Sequence, residues 1–159
     1  MTEIHESADL DRLDRRILAI LQQDGRIANV DLAERVGLSA TATAERVKRL
    51  ARDGVITGWH ARLDPQKLGL DMLFFVEVTL ERTTADVFAK FDAAVRRAPE
   101  VLECHLIAGG FDYLVKARAP DMAHYRRFLG EVLLALPGVR ATHTYPVMEE
   151  VKAEAGLPV

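Results

Sequence analysis

The residues Gly37-Leu38-Ser39 constrain this chain more than any other stretch, because they separate two short amphipathic segments that must both change direction there. Before them, Leu32, Ala33 and Val36 form the inward stripe of a helix opened by Asn29 as N-cap, and Gly37 suits the left-handed conformation that ends a helix. After them, Ser39 caps a helix over about residues 40–52, with Thr43, Val47 and Leu50 on one face and Gly54 beyond its end. Upstream, Leu10, Leu13, Ile17, Ile20 and Leu21 keep the same spacing and predict a first helix over about 11–23, with Gly25 following. Three helices sharing a small core, the last two joined by a three-residue turn containing glycine, make a helix-turn-helix over about 29–53. In such a motif the second helix of the pair enters the major groove of DNA, while basic groups and helix N-termini hold phosphates.

The charge distribution agrees with that reading. The 159 residues carry 21 Lys and Arg against 24 Asp and Glu, a formal charge of -3, which spread evenly would oppose binding to a polyphosphate. Residues 36–62 depart from it, holding Arg46, Lys48, Arg49, Arg52 and Arg62 against Glu45 and Asp53. Thr41, Ala42, Glu45, Arg46 and Arg49 are placed on the face turned away from Thr43, Val47 and Leu50. Arg46 is read as a bidentate donor to a guanine edge, and Lys48, Arg49 and Arg52 as phosphate contacts. Asn29 and Ser39, at the two helix starts, complete the candidate DNA-binding set. A solvated basic face on an ordinary helix is the simpler alternative. The joint presence of caps, a glycine turn and a supporting helix argues against it.

Val55 to Leu63 has β-forming character and is read as a wing or connector, and Asp64, Pro65 and Gly69 supply turn chemistry. The domain reading is therefore residues 1–62 as a DNA-binding helix-turn-helix domain, 63–71 as a linker, 72–152 as a second domain and 153–159 as a tail. The second domain reads as strand 72–80, helix 85–97, strand 101–107, strand 112–119, helix 121–134 and strand 139–148. That βαββαβ order is the ferredoxin-like arrangement, so the whole chain is α+β. Phe74, Val76, Val78, Leu102, Leu106 and Leu114 are assigned to the sheet face opposite the helices, a patch that predicts burial by another subunit.

Other function classes find little support. The chain has no apolar run of about 18 residues, and Met1 to Asp9 is acidic and polar, unlike a signal peptide. A cytoplasmic protein without membrane attachment is expected. The single cysteine, Cys104, supplies neither a disulfide within the chain nor a thiolate cluster for zinc. Strand alternation points Cys104 and His105 to opposite faces, and His105, His124 and His143 lack metal-site spacing. No catalytic residue, metal site or cofactor is expected. The turn Ala108-Gly109-Gly110-Phe111-Asp112-Tyr113 has two readings. It is either plain hairpin chemistry, or a set of backbone N–H groups for a carboxylate with Asp112 for an ammonium, which together suit an amino-acid zwitterion.

LDRLDRRILAILQQDGRIANVDLAERVGLS (10–39), ERVKRL (45–50), ECHLIAGGFDYLVKARAPDM (103–122) and LPGVRATHTYPVMEEVK (136–152) resemble, in that order, the leucine-responsive regulatory protein/AsnC (Lrp/AsnC) family. The resemblance covers about residues 10–152. It implies an N-terminal helix-turn-helix, a linker strand, and a ferredoxin-like module that dimerises through its sheet, with dimers associating further, often into octamers. It also implies an amino-acid effector bound between dimers near the Gly-x-x-Asp-Tyr turn, here Gly109, Asp112 and Tyr113, with Met122 and Tyr145 at positions near the family's pocket. Gly110, Phe111 and the run His143-Thr144-Tyr145 look most like members controlling proline catabolism, so proline and leucine are both candidate effectors. The chain departs from the family pattern at Ala40 and Ala42, where prolines are usual, and at Pro146, where a β-branched residue is usual. Alanine keeps the helix but removes pre-set φ angles from its first turn, and Pro146 belongs at a strand edge or bulge.

These readings favour a sequence-specific transcription regulator, responsive to an amino acid and acting on genes of amino-acid metabolism. An architectural protein that organises the nucleoid with low sequence preference is the alternative, distinguished by its small discrimination between promoter and random DNA. An enzyme built on the second half would need turnover surviving deletion of residues 1–62.

Overall fold

The computed structural model describes residues 9–153 and 156–159, so the acidic opening up to residue 8 and part of the tail lie outside the described residues. It divides into two compact units, one formed by residues up to Arg62 together with the tail from Lys152, the other by Leu63–Val151.

In the first unit, α1 (Arg12–Gln23), α2 (Asn29–Val36) and α3 (Ala40–Arg52) follow the expected order. Asp11 caps α1 and forms a reciprocal capping box with Asp14. At α2 the structure corrects the sequence reading. The N-cap is Ala28, not Asn29, and no side chain caps it. Asn29 instead sends its side-chain N–H across to the Ala40 carbonyl at 2.8 Å, fastening the start of α2 to the start of α3. Gly37 adopts φ +78°, and the backbone N–H groups of Gly37 and Leu38 both return to the Ala33 carbonyl, so the chain reverses sharply into α3. Ser39 accepts from the Ala42 N–H at 3.2 Å, giving the first turn of α3 a cap where prolines are missing. Ile17, Leu18, Leu32, Val36 and Leu50 form the core. Beyond α3, the Val55 and Ile56 N–H groups close onto the Leu50 carbonyl, and residues 57–64 run on without helix or strand.

The second unit contains β1 (Met72–Leu80), α4 (Ala85–Val95), β2 (Val101–Leu106), β3 (Tyr113–Ala119), α5 (Met122–Arg127) and β4 (Val139–Pro146). The sheet order is β2-β3-β1-β4, and every pairing is antiparallel. The expected helix over 121–134 is α-helical only to Arg127. It then widens into a π-helical stretch, Phe128–Leu133, containing Gly130 and burying Phe128 and Leu133. Pro146 is the last residue of an edge strand, where its missing donor costs nothing to the ladder.

The assignment of sheet faces also needs correcting. Phe74, Val76 and Val78 are fully buried on the helix side, against Phe91, Tyr125, Phe128 and Leu133. Strand alternation then turns Leu73, Phe75, Glu77 and Thr79 to the other face. The paired register places Leu114, Lys116, His143 and Tyr145 beside them. Leu102 and Leu106 line the groove between β2 and α4. Of the six residues assigned to the open face, only Leu114 lies there, and that face is mixed in character rather than an apolar patch. Consecutive apolar residues over Leu73-Phe74-Phe75-Val76 hide the parity that decides the matter.

Candidate nucleic-acid interface and ligand turn

The outward stripe of α3 consists of Thr41, Ala44, Glu45, Lys48 and Arg52, all exposed and spaced by three, four and seven or more residues from Thr41. Thr43 and Leu50 are buried on the opposite side, and Val47 packs against the same core. Asp11, Glu45, Arg46, Lys48, Arg49 and Arg52 line a basin of about 470 Å³. Lys48 and Arg52 reach solvent, and Arg52 also touches its neighbour Asp53 at 2.9 Å. The expectation for Lys48 and Arg52 as phosphate contacts is thus compatible with where their side chains stand.

Arg46 and Arg49 are placed differently from the sequence reading. Ala42, Arg46 and Arg49 are only partly exposed, on the flank of α3 inclined toward α1. Arg46 Nη1 donates to Asp11 Oδ2 at 2.6 Å and to Asp14 Oδ1 at 2.8 Å, and Arg49 Nη2 donates to Asp14 Oδ2 at 2.6 Å. Only 1% of the Asp14 side chain is exposed, against 27% and 40% for its two arginine partners. Burial works to raise the Asp14 pKa, but the hydrogen bonds from Arg49 and Arg46 and from the Asp11 backbone outweigh it and hold the carboxyl below its ordinary value. The Asp11 carboxyl is lowered by the Asp14 backbone N–H and then by Arg46. Arg46 is therefore engaged by two carboxylates, which the reading of a free guanine donor did not foresee. The signal for it lay in the sequence, since Asp14 occupies a position of the apolar stripe, three and four residues before Ile17 and Leu18.

In the second unit the residues expected to bind an effector do not converge within one chain. Gly109, Gly110 and Asp112 lie in the turn between β2 and β3. There Asp112 Oδ2 accepts from the Leu80 N–H at 2.7 Å, its own N–H donates to the Val78 carbonyl at 3.0 Å, and its carbonyl accepts from Ile107 at 2.8 Å. Asp112 thus ties the turn to the end of β1. Tyr113 turns away from the turn and into the helix–sheet core. Its ring lies 4.3 Å from that of Phe91, its hydroxyl donates to Asp92 Oδ1 at 2.8 Å, and burial, followed by the Asp92 carboxylate, raises its pKa. Its side chain is a core element, with the hydroxyl facing Asp92 rather than the turn. Met122, exposed, opens α5 just past the end of β3, one strand length or about 20 Å from the turn. Tyr145 stands on the open sheet face, where its hydroxyl donates to Glu77 at 3.0 Å and its ring lies 4.7 Å from that of His143.

The half-buried thiol of Cys104 is pushed up to about 11 by desolvation first and Asp92 second, so it is held as a neutral thiol rather than a nucleophile. Among the described residues no group of three or more His, Cys, Asp and Glu side chains is arranged to hold a metal ion, and no helix is long and apolar enough to cross a membrane.

A capped helix-turn-helix followed by a separate ferredoxin-like unit is the architecture of a ligand-responsive DNA-binding regulator. Comparison with known proteins makes this specific. Residues 10–57 match the winged helix-turn-helix DNA-binding model, and residues 73–157 match the Lrp/AsnC ligand binding domain. The chain is 59% identical over 151 residues to the leucine-responsive regulatory protein of Salmonella typhimurium, covering 95% of this chain and 92% of that one. The protein of the same name from Escherichia coli K12 is 58% identical over the same coverage. Among solved structures, a transcriptional regulator from Neisseria meningitidis in complex with L-Met superposes with a TM-score of 0.90 at 37% identity, covering 94% of this chain and 96% of that one. An AsnC family regulator from Agrobacterium tumefaciens gives 0.89 at 36% identity, over 93% and 96%. The chain belongs to the Lrp/AsnC family of transcription regulators. It is a DNA-binding regulator with a ligand-binding domain, and its relatives are regulators rather than enzymes.

Proposed function

We propose that the chain acts in the cytoplasm as a homodimer, assembling further toward an octamer, that reads paired half-sites on double-stranded DNA and changes its affinity when an amino acid binds. The observation that carries the DNA part is the outward stripe of α3, where Lys48 and Arg52 project from a helix capped by Ser39 and supported by α1 and α2. Thr41, Ala42 and Glu45 lie on or beside that stripe in the N-terminal half of α3, the part that a recognition helix turns toward base edges. A chain of net charge -3 with so few free cations on this helix binds weakly alone, so two copies joined through the second unit supply the affinity, reading half-sites about 34 Å apart.

The amino-acid part is supported by the ligand-binding domain and by the L-Met bound to the Neisseria relative. The separation of Gly109, Gly110 and Asp112 from Met122 and Tyr145 within one chain fits a site completed by a neighbouring copy. Leucine and proline are the first effectors to examine, and genes of amino-acid metabolism the first targets.

Anisotropy titrations of operator and random duplex across a salt series test this. Lys48→Ala and Arg52→Ala weaken both duplexes alike and each flatten the slope of log K against log salt by about 0.9. If both variants keep the wild-type affinity and slope, α3 is not the DNA contact. An operator-to-random ratio near one for the wild type makes the chain an architectural DNA-organising protein instead.

A further inference from the structure

We propose that Asp14, together with Asp11, is a positioning residue for DNA reading: the two carboxylates hold Arg46 and Arg49 against α1, leaving Thr41, Ala44 and Glu45 of the outward stripe to meet the bases while Lys48 and Arg52 hold phosphates. The inference rests on α3 being the DNA contact.

The geometry is over-determined at the acids. Asp14 N–H donates to Asp11 Oδ1 at 2.8 Å, and Asp11 N–H returns a weaker bond to Asp14 Oδ2 at 3.3 Å, so the capping box fixes both carboxylates in the first turn of α1. Asp14 then spends Oδ1 on Arg46 and Oδ2 on Arg49, while Asp11 Oδ2 takes the same Nη1 of Arg46. Two acids and two arginines make a neutral cluster at the edge of the DNA-facing basin. A free guanidinium there would present five donors to any phosphate in reach and so bind DNA of every sequence. Engaged by carboxylates, Arg46 adds little to that indiscriminate attraction. Arg49, held through one nitrogen, keeps the rest of its donor fork in a fixed orientation. Specificity is a difference between affinities, and muting the sequence-blind component raises it without any new base contact.

Asp11→Asn and Asp14→Asn are measured against wild type in full-length protein, on operator and random duplex across a salt series, with a thermal melt of each variant. The carboxamides keep the shape and remove the charge. The expected result is tighter binding to random DNA at low salt, a salt slope steeper by about 0.9 for each guanidinium released, and a smaller operator-to-random ratio. Asp11→Glu restores the wild-type slope. Asp11 is about half exposed, so its variant folds even if Asp14→Asn does not; Arg46 then keeps its bond to Asp14, and the expected steepening of the slope is a fraction of that for a released guanidinium, still with a gain on random DNA. Unchanged slope and discrimination in the folded acid variants overturn the positioning role while leaving α3 as the DNA contact. A loss of affinity that tracks the melting temperature, with no gain on random DNA, overturns it as well. If wild type binds neither duplex, it is the DNA reading of α3 that fails.

Discussion

Replacing Tyr113 by Phe separates the two roles open to the Gly-x-x-Asp-Tyr turn. The phenol is buried, its ring packs on Phe91 and Phe88, and its hydroxyl donates to Asp92 at 2.8 Å. Removing one oxygen leaves the ring packing in place and deprives Asp92 of one donor. Hydrogen bonds to charged groups contribute roughly 1.5–3 kcal/mol, and Asp92 is only half-buried, so water recovers part of the loss and about 1 kcal/mol remains. For a domain of this size that lowers the melting temperature by about 4–8 °C. The assay pairs a thermal melt of Tyr113→Phe with calorimetric titration of L-leucine, L-methionine and L-proline. A stability loss with effector affinity held within about twofold is expected, since the hydroxyl faces Asp92 in the core rather than the turn. An unchanged melt with affinity down by about tenfold or more would falsify the reasoning, because the hydroxyl would then be touching the ligand.

Further outcomes follow from the first unit. Gly37→Ala, at φ +78° with open space around the added methyl, costs roughly 1–2 kcal/mol through backbone strain alone, and an unchanged chemical-denaturation midpoint would refute the left-handed cap. Asp11 and Asp14 have folded-state pKa values held below 3.8, so the stability they contribute is complete above that value and is lost as the pH falls through the lowered ones. The first unit should therefore lose stability below about pH 4, and Asp14→Asn should flatten this acid limb while lowering the plateau at neutral pH by about 3 kcal/mol. An acid limb of wild-type steepness in that variant, followed by circular dichroism, would count against the buried pair.

Much of the fold is legible in the sequence because local signals agree with one another. The cap at Ser39, the glycines at 37 and 54 and the apolar spacing place α1, α2 and α3 within a residue or two, and β1 spans 72–80 as read. What escaped depends on contacts distant in sequence or on parity. Asn29 looks like a cap until its amide is seen crossing to Ala40, and Arg46 looks free until Asp14, 32 residues away, is brought beside it. The inward face of β1 is hidden by its run of adjacent apolar residues, Leu73-Phe74-Phe75-Val76. The widening of α5 at Phe128 has no local marker beyond Gly130. The motif around Asp112 located the hairpin turn correctly, but the side chain of Tyr113 follows strand alternation into the core.

The most direct test of the account is genome-wide occupancy of the full-length protein, measured with and without a panel of amino acids. A ligand-responsive Lrp/AsnC regulator predicts discrete binding sites containing paired half-sites, with occupancy shifting under at least one amino acid. Even coverage of the genome, unchanged by every amino acid in the panel, would contradict it.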